Sequence, residues 1–471
     1  MIFVHGGLNT QIETIERVAD PWRTDKLYNL IAREGYYPIF VNWRASCTAS
    51  YFEQLFLVRQ GEKQQVIGPL TAVPTFGVDI ARSIARAPLV WTVQTRNDFN
   101  TTASRILRSK VPDEVAKQLI CAYEYEDAKS DECLKDFSFQ KPPACVPLQW
   151  GSVDGNRKFD KRTVRDNERL SISVDEDQRT CAESDLSLSM YFLTLPSRLL
   201  IEPVVDAFGT SAWDNMLRET RLLFNVDDEF TEEAAKVDIP RAGGLSIFLQ
   251  RLQDVIEADK NNGDGRQWEI ALIGHSMGTI IINQMLRESI QLKHELPIKN
   301  IVYMSAAASM RDVQDSVLPY LRNNPYLQEC ENEKKTQDDK ECMKTQFYNL
   351  MLHHIAEEHE SYNLGQLSLL SFDPGPRGSL LVMIDNFLSK PLTYLDRTAG
   401  RYDNFMPAVH DFPKELWPQM HIKTFSAGEK VKAENPQRHS EFTERFRFWI
   451  EDCWRPVPAM GGTTLSDCIH D

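Results

Sequence analysis

No stretch of the 471 residues holds the roughly eighteen uninterrupted apolar side chains that a membrane-spanning helix requires. The longest candidates, Ala87 to Val93 and Leu193 to Ala207, are short or broken by proline and charge. Spanning is therefore not expected, while attachment to a membrane surface stays open. Positive charge is also scarce: 53 Lys and Arg against 68 Asp and Glu leave a net charge of -15, and that surplus of carboxylate repels a phosphate backbone. No nucleic-acid partner is expected. Neither Gly-x-x-x-x-Gly-Lys-Ser/Thr nor Gly-x-Gly-x-x-Gly occurs, so no nucleotide cofactor is indicated. The run His353 to Glu360 is rich in imidazole and carboxylate but lacks His-Glu-x-x-His spacing, and no cysteines fall at metal-ligand intervals, so no metal is expected. The start lacks the basic stretch, apolar core and cleavage site of a secretory signal. Met1 runs straight into Ile2-Phe3-Val4, an abrupt start that raises the expectation of upstream sequence.

What is present reads as one large folded domain with insertions. Ile2 to Val4 is a short buried strand stopped by Gly6-Gly7, Ile12 to Glu34 carries apolar residues at helical spacing, and Tyr37 to Val41 is a second strand. Strand, helix, strand is the unit of a parallel sheet. The rhythm stops near Trp43 and resumes near Gly243. Helix Leu245 to Ala258 is followed by strands Trp268 to Ile273, Ile301 to Met304, Phe347 to His353 and His421 to Phe425. The expected fold class is α/β, a mostly parallel doubly wound sheet of about six strands with ligands at their carboxyl ends. Residues 1–44 and 243–455 form the core, 45–242 a cap-like insertion, and 456–471 a tail. Within the insertion, Val78 to Arg86 and Thr210 to Phe224 are helical, whereas Tyr123 to Glu183 has little periodicity.

The chemical signal is Gly274-His275-Ser276-Met277-Gly278, set between an apolar strand and the helix-like Thr279 to Arg287. A sharp turn from strand to helix strains the serine and exposes its hydroxyl above the sheet, and flanking glycines let the two elements approach. A glycine-flanked serine can also simply cap a helix. As a nucleophile Ser276 needs a base and donors for an oxyanion. His5-Gly6-Gly7 follows the first strand and offers backbone N–H groups of Gly6 and Gly7, with the Met277 N–H as partner donor; its other reading is a plain turn.

These two motifs resemble the α/β-hydrolase superfamily, and within it the esterases and lipases that join an HGG oxyanion loop to a GHSMG elbow. The resemblance covers residues 1 to 44 and 243 to 450 and does not extend to the insertion. It implies the order serine, acid, histidine. His439, beyond the last strand, then becomes the base, and Glu357, just after Phe347 to His353, the acid; Glu358, Glu360, Asp373, Asp385 and Asp403 compete for that role. The implied activity is hydrolysis of a small-molecule or lipid ester through an acyl-enzyme, without a cofactor. Thioesterase or amidase action, and a non-catalytic binding protein of the same fold, are the alternatives.

Nine cysteines are unevenly placed. Cys121, Cys133, Cys145 and Cys181 share the insertion, Cys330 and Cys342 bracket a charged loop, Cys453 and Cys468 bracket the tail, and Cys47 has no obvious mate. Bridges Cys330–Cys342 and Cys453–Cys468 are the expectation, and with them an oxidising compartment; a cytosolic enzyme is the alternative.

Overall fold

A computed structural model describes residues 1–7, 27–59, 62–63, 67–110, 188–225, 243–261, 268–291, 296–323, 344–353, 356–357, 360, 378–389, 391, 393–409, 412–425, 435–454 and 468–469. Six strands form one parallel sheet: β1 Ile2–Val4, β2 Ile39–Val41, β5 Ile270–His275, β6 Ile298–Met304, β7 Gln346–Met351 and β8 Met420–Thr424, in the order β2-β1-β5-β6-β7-β8. Two short strands, β3 Val58–Arg59 and β4 Glu62–Lys63, pair antiparallel elsewhere. The chain is thus of the α/β class. It leaves β1 for β2 on one side and returns to β5 on the other, so the carboxyl ends of β1 and β5 flank a topological switch point, where open sheets of this kind form their crevice.

The strands read as continuous apolar runs because both faces are covered. Successive side chains go to opposite faces. Ile2 and Val4, Leu272, Ile301, Tyr303 and Phe347 enter one core, while Phe3, Ile273, Val302, Met304 and Leu350 enter the other. Helices α5 Gly244–Asn261 and α6 Gly278–Gln291 add Leu249, Ile256, Ile281, Met285 and Leu286 to the first core. The second is closed by α1 Leu27–Arg33, through Ile31, and by the carboxyl-terminal Phe442, Phe446, Phe448 and Trp454.

The segment expected to be an insertion contributes α2 Cys47–Phe56, α3 Gly68–Lys110 and α4 Leu188–Leu222, which pack on one another. The helices expected at Val78 to Arg86 and Thr210 to Phe224 are the middle and end of longer ones. Pro74 and Pro88 lie inside α3 and hide its continuity in the sequence. Polar pairs turn inward here: the Tyr51 hydroxyl donates to Asp79 at 3.3 Å, Arg86 forks onto both Asp206 oxygens at 3.0 Å, and Asn215 donates to the Ser50 carbonyl at 2.8 Å. Leu70 and Val73 are 80% and 79% exposed on the outer face of α3, with Ile84 and Leu89 exposed farther along. At its far end α4 sends Trp213 and Met216 into the main core, so this segment is not packed as a free-standing unit. Among the described residues no helix is long and apolar enough to cross a membrane.

Strand limits differ slightly from expectation. β7 ends at Met351 rather than His353, because its ladder with β8 closes at Met351 opposite Thr424. Of the expected helix Ile12 to Glu34 only α1 falls within the described residues. Cys453 and Cys468 are bridged, closing a loop that constrains the unfolded chain by about 3 kcal/mol in the entropic account. Cys330 and Cys342, like the cysteines at 121, 133, 145 and 181, lie outside the described residues. Cys47 is a free thiol.

Candidate active site

β5 ends at His275 and α6 begins at Gly278, which leaves Ser276 in the sharp turn between them with φ of 50°, the left-handed region that a side chain rarely adopts. Such a residue costs about 1–3 kcal/mol and persists only where its surroundings hold it. Here they do. The Ser276 N–H donates to the Met304 carbonyl at 3.0 Å, and the Ser276 carbonyl accepts from the N–H groups of Thr279 and Ala307, both at 3.1 Å. A Cβ on Gly278 would collide with the Val4 and His5 carbonyls, and one on Gly274 would come within 2.7 Å of Ile282 Cδ1. The two glycines therefore let the turn at Ser276 sit against β1 and its own helix. Ser276 Oγ is buried and has no hydrogen-bond partner among the described residues.

His5-Gly6-Gly7 lies against this turn. A Cβ on Gly6 would stand 2.9 Å from Ser276 Cβ, and one on Gly7 would strike the Met277 side chain. The loop is fixed from behind by Trp43, whose indole donates to the His5 carbonyl at 3.1 Å and whose main-chain N–H donates to His5 Nε2 at 3.3 Å. Since Nε2 accepts, Nδ1 carries the proton and donates to the Gly6 carbonyl at 2.7 Å. In a trans peptide the next N–H points the opposite way, so this bond turns the Gly7 N–H away from His5. Met277 and Gly278 stand at the first turn of α6, where N–H groups have no intrahelical acceptor.

His439 comes in from the loop before the short helix Glu441–Glu444 and packs on His275, ring centroids 4.9 Å apart. His275 Nε2 donates to the His439 carbonyl at 3.0 Å. His439 Nδ1 meets Ser305 Oγ at 3.0 Å, while its Nε2 has no partner among the described residues. Burial, reinforced by the neighbouring His275, holds the imidazole well below its usual pKa, so the neutral ring is favoured. In the tautomer whose Nδ1–H donates to Ser305 Oγ, the lone pair is on Nε2. Ser305 itself has φ of 47° at the end of β6, and its N–H donates to the Leu350 carbonyl at 2.8 Å.

Among the described residues, the turn after β7 carries two acids with different partners. Glu357 is buried, with one oxygen accepting from the Ser379 hydroxyl and Oε1 without a partner among the described residues. Burial pushes its pKa up to about 8, against the pull of Arg401 and Ser379. Glu360 accepts from the His439 main-chain N–H at 3.0 Å, and burial raises its pKa to about 7. Neither carboxyl is hydrogen-bonded to the His439 ring.

Asp385 is consumed elsewhere, bonded to Arg401 at 2.9 Å and to Thr398 and Asn404. Glu358 and Asp373 lie outside the described residues, as does the Asp403 side chain. Neither a protein-family model, nor a curated protein, nor a solved structure matches the chain.

The structure therefore brings Ser276, His275, Gly6, Gly7 and Met277 together at the switch point and places His439 beside them. It leaves Glu357 off the imidazole. Ser305 and Glu360, which hold the ring and the main chain of His439, carry no motif. Their one signal is position, since Ser305 lies just past the carboxyl end of β6, the neighbour of β5, and Glu360 lies in the turn after β7, the next strand out. Among the described residues no group of three His, Cys, Asp or Glu side chains could hold a metal ion.

Proposed function

We propose that the protein is a serine hydrolase of the α/β-hydrolase fold that cleaves carboxylic esters through an acyl-enzyme on Ser276. The observation that carries this reading is the pair of buried, partnerless atoms, Ser276 Oγ and His439 Nε2, at the carboxyl edge of the sheet. A hydroxyl held without a partner in a strained turn and a neutral imidazole with its lone pair uncommitted are the two halves of an activated nucleophile. As Oγ bonds to the ester carbonyl carbon, its proton passes to His439 Nε2. The carbonyl oxygen takes the negative charge, facing the N–H groups of Gly6, Gly7 and Met277. Collapse breaks the ester C–O bond, and the alkoxide leaves with the proton from His439. Water repeats the cycle in reverse and frees the acid.

In this mechanism Ser305 Oγ accepts from His439 Nδ1–H and holds the ring in place. Glu357 is the acid, supported by its open acceptor Oε1 and its place after β7. It is neutral at rest, and the cation that forms on His439 favours its ionisation. Ser276 is 1% exposed, so substrate reaches it only after the covering elements separate, the role expected of a cap. The apolar outer face of α3 favours a lipidic ester presented at a membrane surface over a small soluble one. Thioester and amide substrates differ only in the leaving atom.

A fluorophosphonate probe tests the reading directly. The expected result is stoichiometric phosphonylation located on Ser276 by peptide mass spectrometry, because only an activated serine reacts. No labelling of the folded protein would favour the non-catalytic reading. Among p-nitrophenyl esters, thioesters, anilides and phospholipid vesicles, long-chain esters at a lipid surface are expected to turn over fastest.

A further inference from the structure

A cavity of about 220 Å³ lies beside the nucleophile turn, and neither Ser276 nor His439 lines it. Two helix faces form its main walls. α4 presents Trp213, Leu217 and Arg221, spaced one turn apart, and α6 presents Ile280, Gln284 and Arg287 at the same spacing. Ala307, whose N–H holds the Ser276 carbonyl, separates the cavity from the turn.

The polar groups of the walls are unequally satisfied. Arg287 is paired with Asp312 at 2.5 Å, and Asp396 with Arg311 at 2.9 Å, so the carboxylates of the lining are already neutralised. Trp213 is 3% exposed, yet its indole N–H has no hydrogen-bond partner among the described residues. A buried donor left unmade is costly, and this one belongs to a side chain that lines an open space. Arg221, on the same face two turns along, has an exposed side chain at the rim. Leu217, Ile280, Ala307 and Ile384 line part of the remaining space with carbon, beside Gln284 and four hydroxyl side chains that are already bonded within the protein.

We propose that this cavity binds a small carboxylate with a short apolar chain, its oxygens accepting from the Trp213 indole and the Arg221 guanidinium. The volume falls below the roughly 300 Å³ at which pockets for larger ligands begin, which restricts the guest to a short chain. The proposal does not depend on ester hydrolysis. Its test uses the full chain carrying Ser276→Ala, so that binding is read whether or not Ser276 is a nucleophile.

Titration calorimetry with hexanoate is expected to give saturable one-site binding with a Kd of about 1 mM or below, and 1-hexanol is expected to bind at least tenfold more weakly. Trp213→Phe keeps the ring and removes the donor, and is expected to weaken hexanoate roughly tenfold, as is Arg221→Gln at the exposed rim. Trp213 also packs in the core, so Arg221→Gln serves as the variant whose fold is not at risk. No binding to the parent protein, equal affinity for the alcohol, or full affinity in Arg221→Gln would each overturn the assignment.

Discussion

Ser276→Ala is expected to lower kcat/KM for ester hydrolysis by roughly 10⁴-fold or more while leaving the fold intact. The two halves of this expectation rest on the same geometry. Ser276 Oγ has no hydrogen-bond partner, so its removal breaks no bond, and alanine inherits a left-handed backbone that the main-chain contacts to Met304, Thr279 and Ala307 already enforce. Removing an unsatisfied buried hydroxyl costs little or nothing in stability. Thermal unfolding of the variant should therefore match the parent within a few degrees while activity vanishes. Residual activity within tenfold of the parent would remove Ser276 as nucleophile. A large drop in melting temperature would make it a structural residue instead.

The parallel sheet was legible because its cause is local. A strand buried on both faces has to be apolar throughout, and Ile270 to Ile273 and Ile301 to Met304 show this without tertiary information. The sharp turn at Ser276 was legible for a similar reason, since only glycine fits at 274 and 278 when strand and helix close on the serine. The surroundings of His439 were not legible. Ser305 and Glu360 reach it across 134 and 79 residues of sequence, and a serine or a glutamate at a strand end has no pattern that names its partner. The insertion was opaque on different grounds. Its helices pair polar groups inward and leave Leu70 and Val73 outward, the reverse of the pattern by which core-facing residues are chosen.

Glu357 marks the boundary between these cases. Its place after β7 follows from the order of elements, but the direction of its side chain depends on one turn of backbone. There the Glu357 N–H donates to the His353 carbonyl and the Glu360 N–H to the Ala356 carbonyl, sending the two acids to different partners.

Glu357→Gln is the substitution that separates a catalytic role for this acid from a purely structural one. Burial raises the folded-state pKa to about 8 from an ordinary 4.5, so between those values the unfolded chain releases a proton that the folded protein keeps. Stability is undiminished below pH 4.5 and falls as pH rises, by on the order of 4 kcal/mol once pH 8 is reached. Glutamine is neutral in both states and nearly isosteric. The variant is therefore expected to match the parent near pH 4.5 and to exceed it by several kcal/mol at pH 8, read from urea unfolding at both values. Its activity should move the other way. Glutamine cannot ionise to meet the cation formed on His439, so kcat is expected to fall at least roughly 10²-fold with KM little changed. Glu360→Gln alters a carboxylate that is bonded to the His439 main chain rather than to its ring, and serves as the comparison. Full activity in Glu357→Gln together with a silent Glu360→Gln would transfer the acid to Glu360, whatever the unfolding curves show.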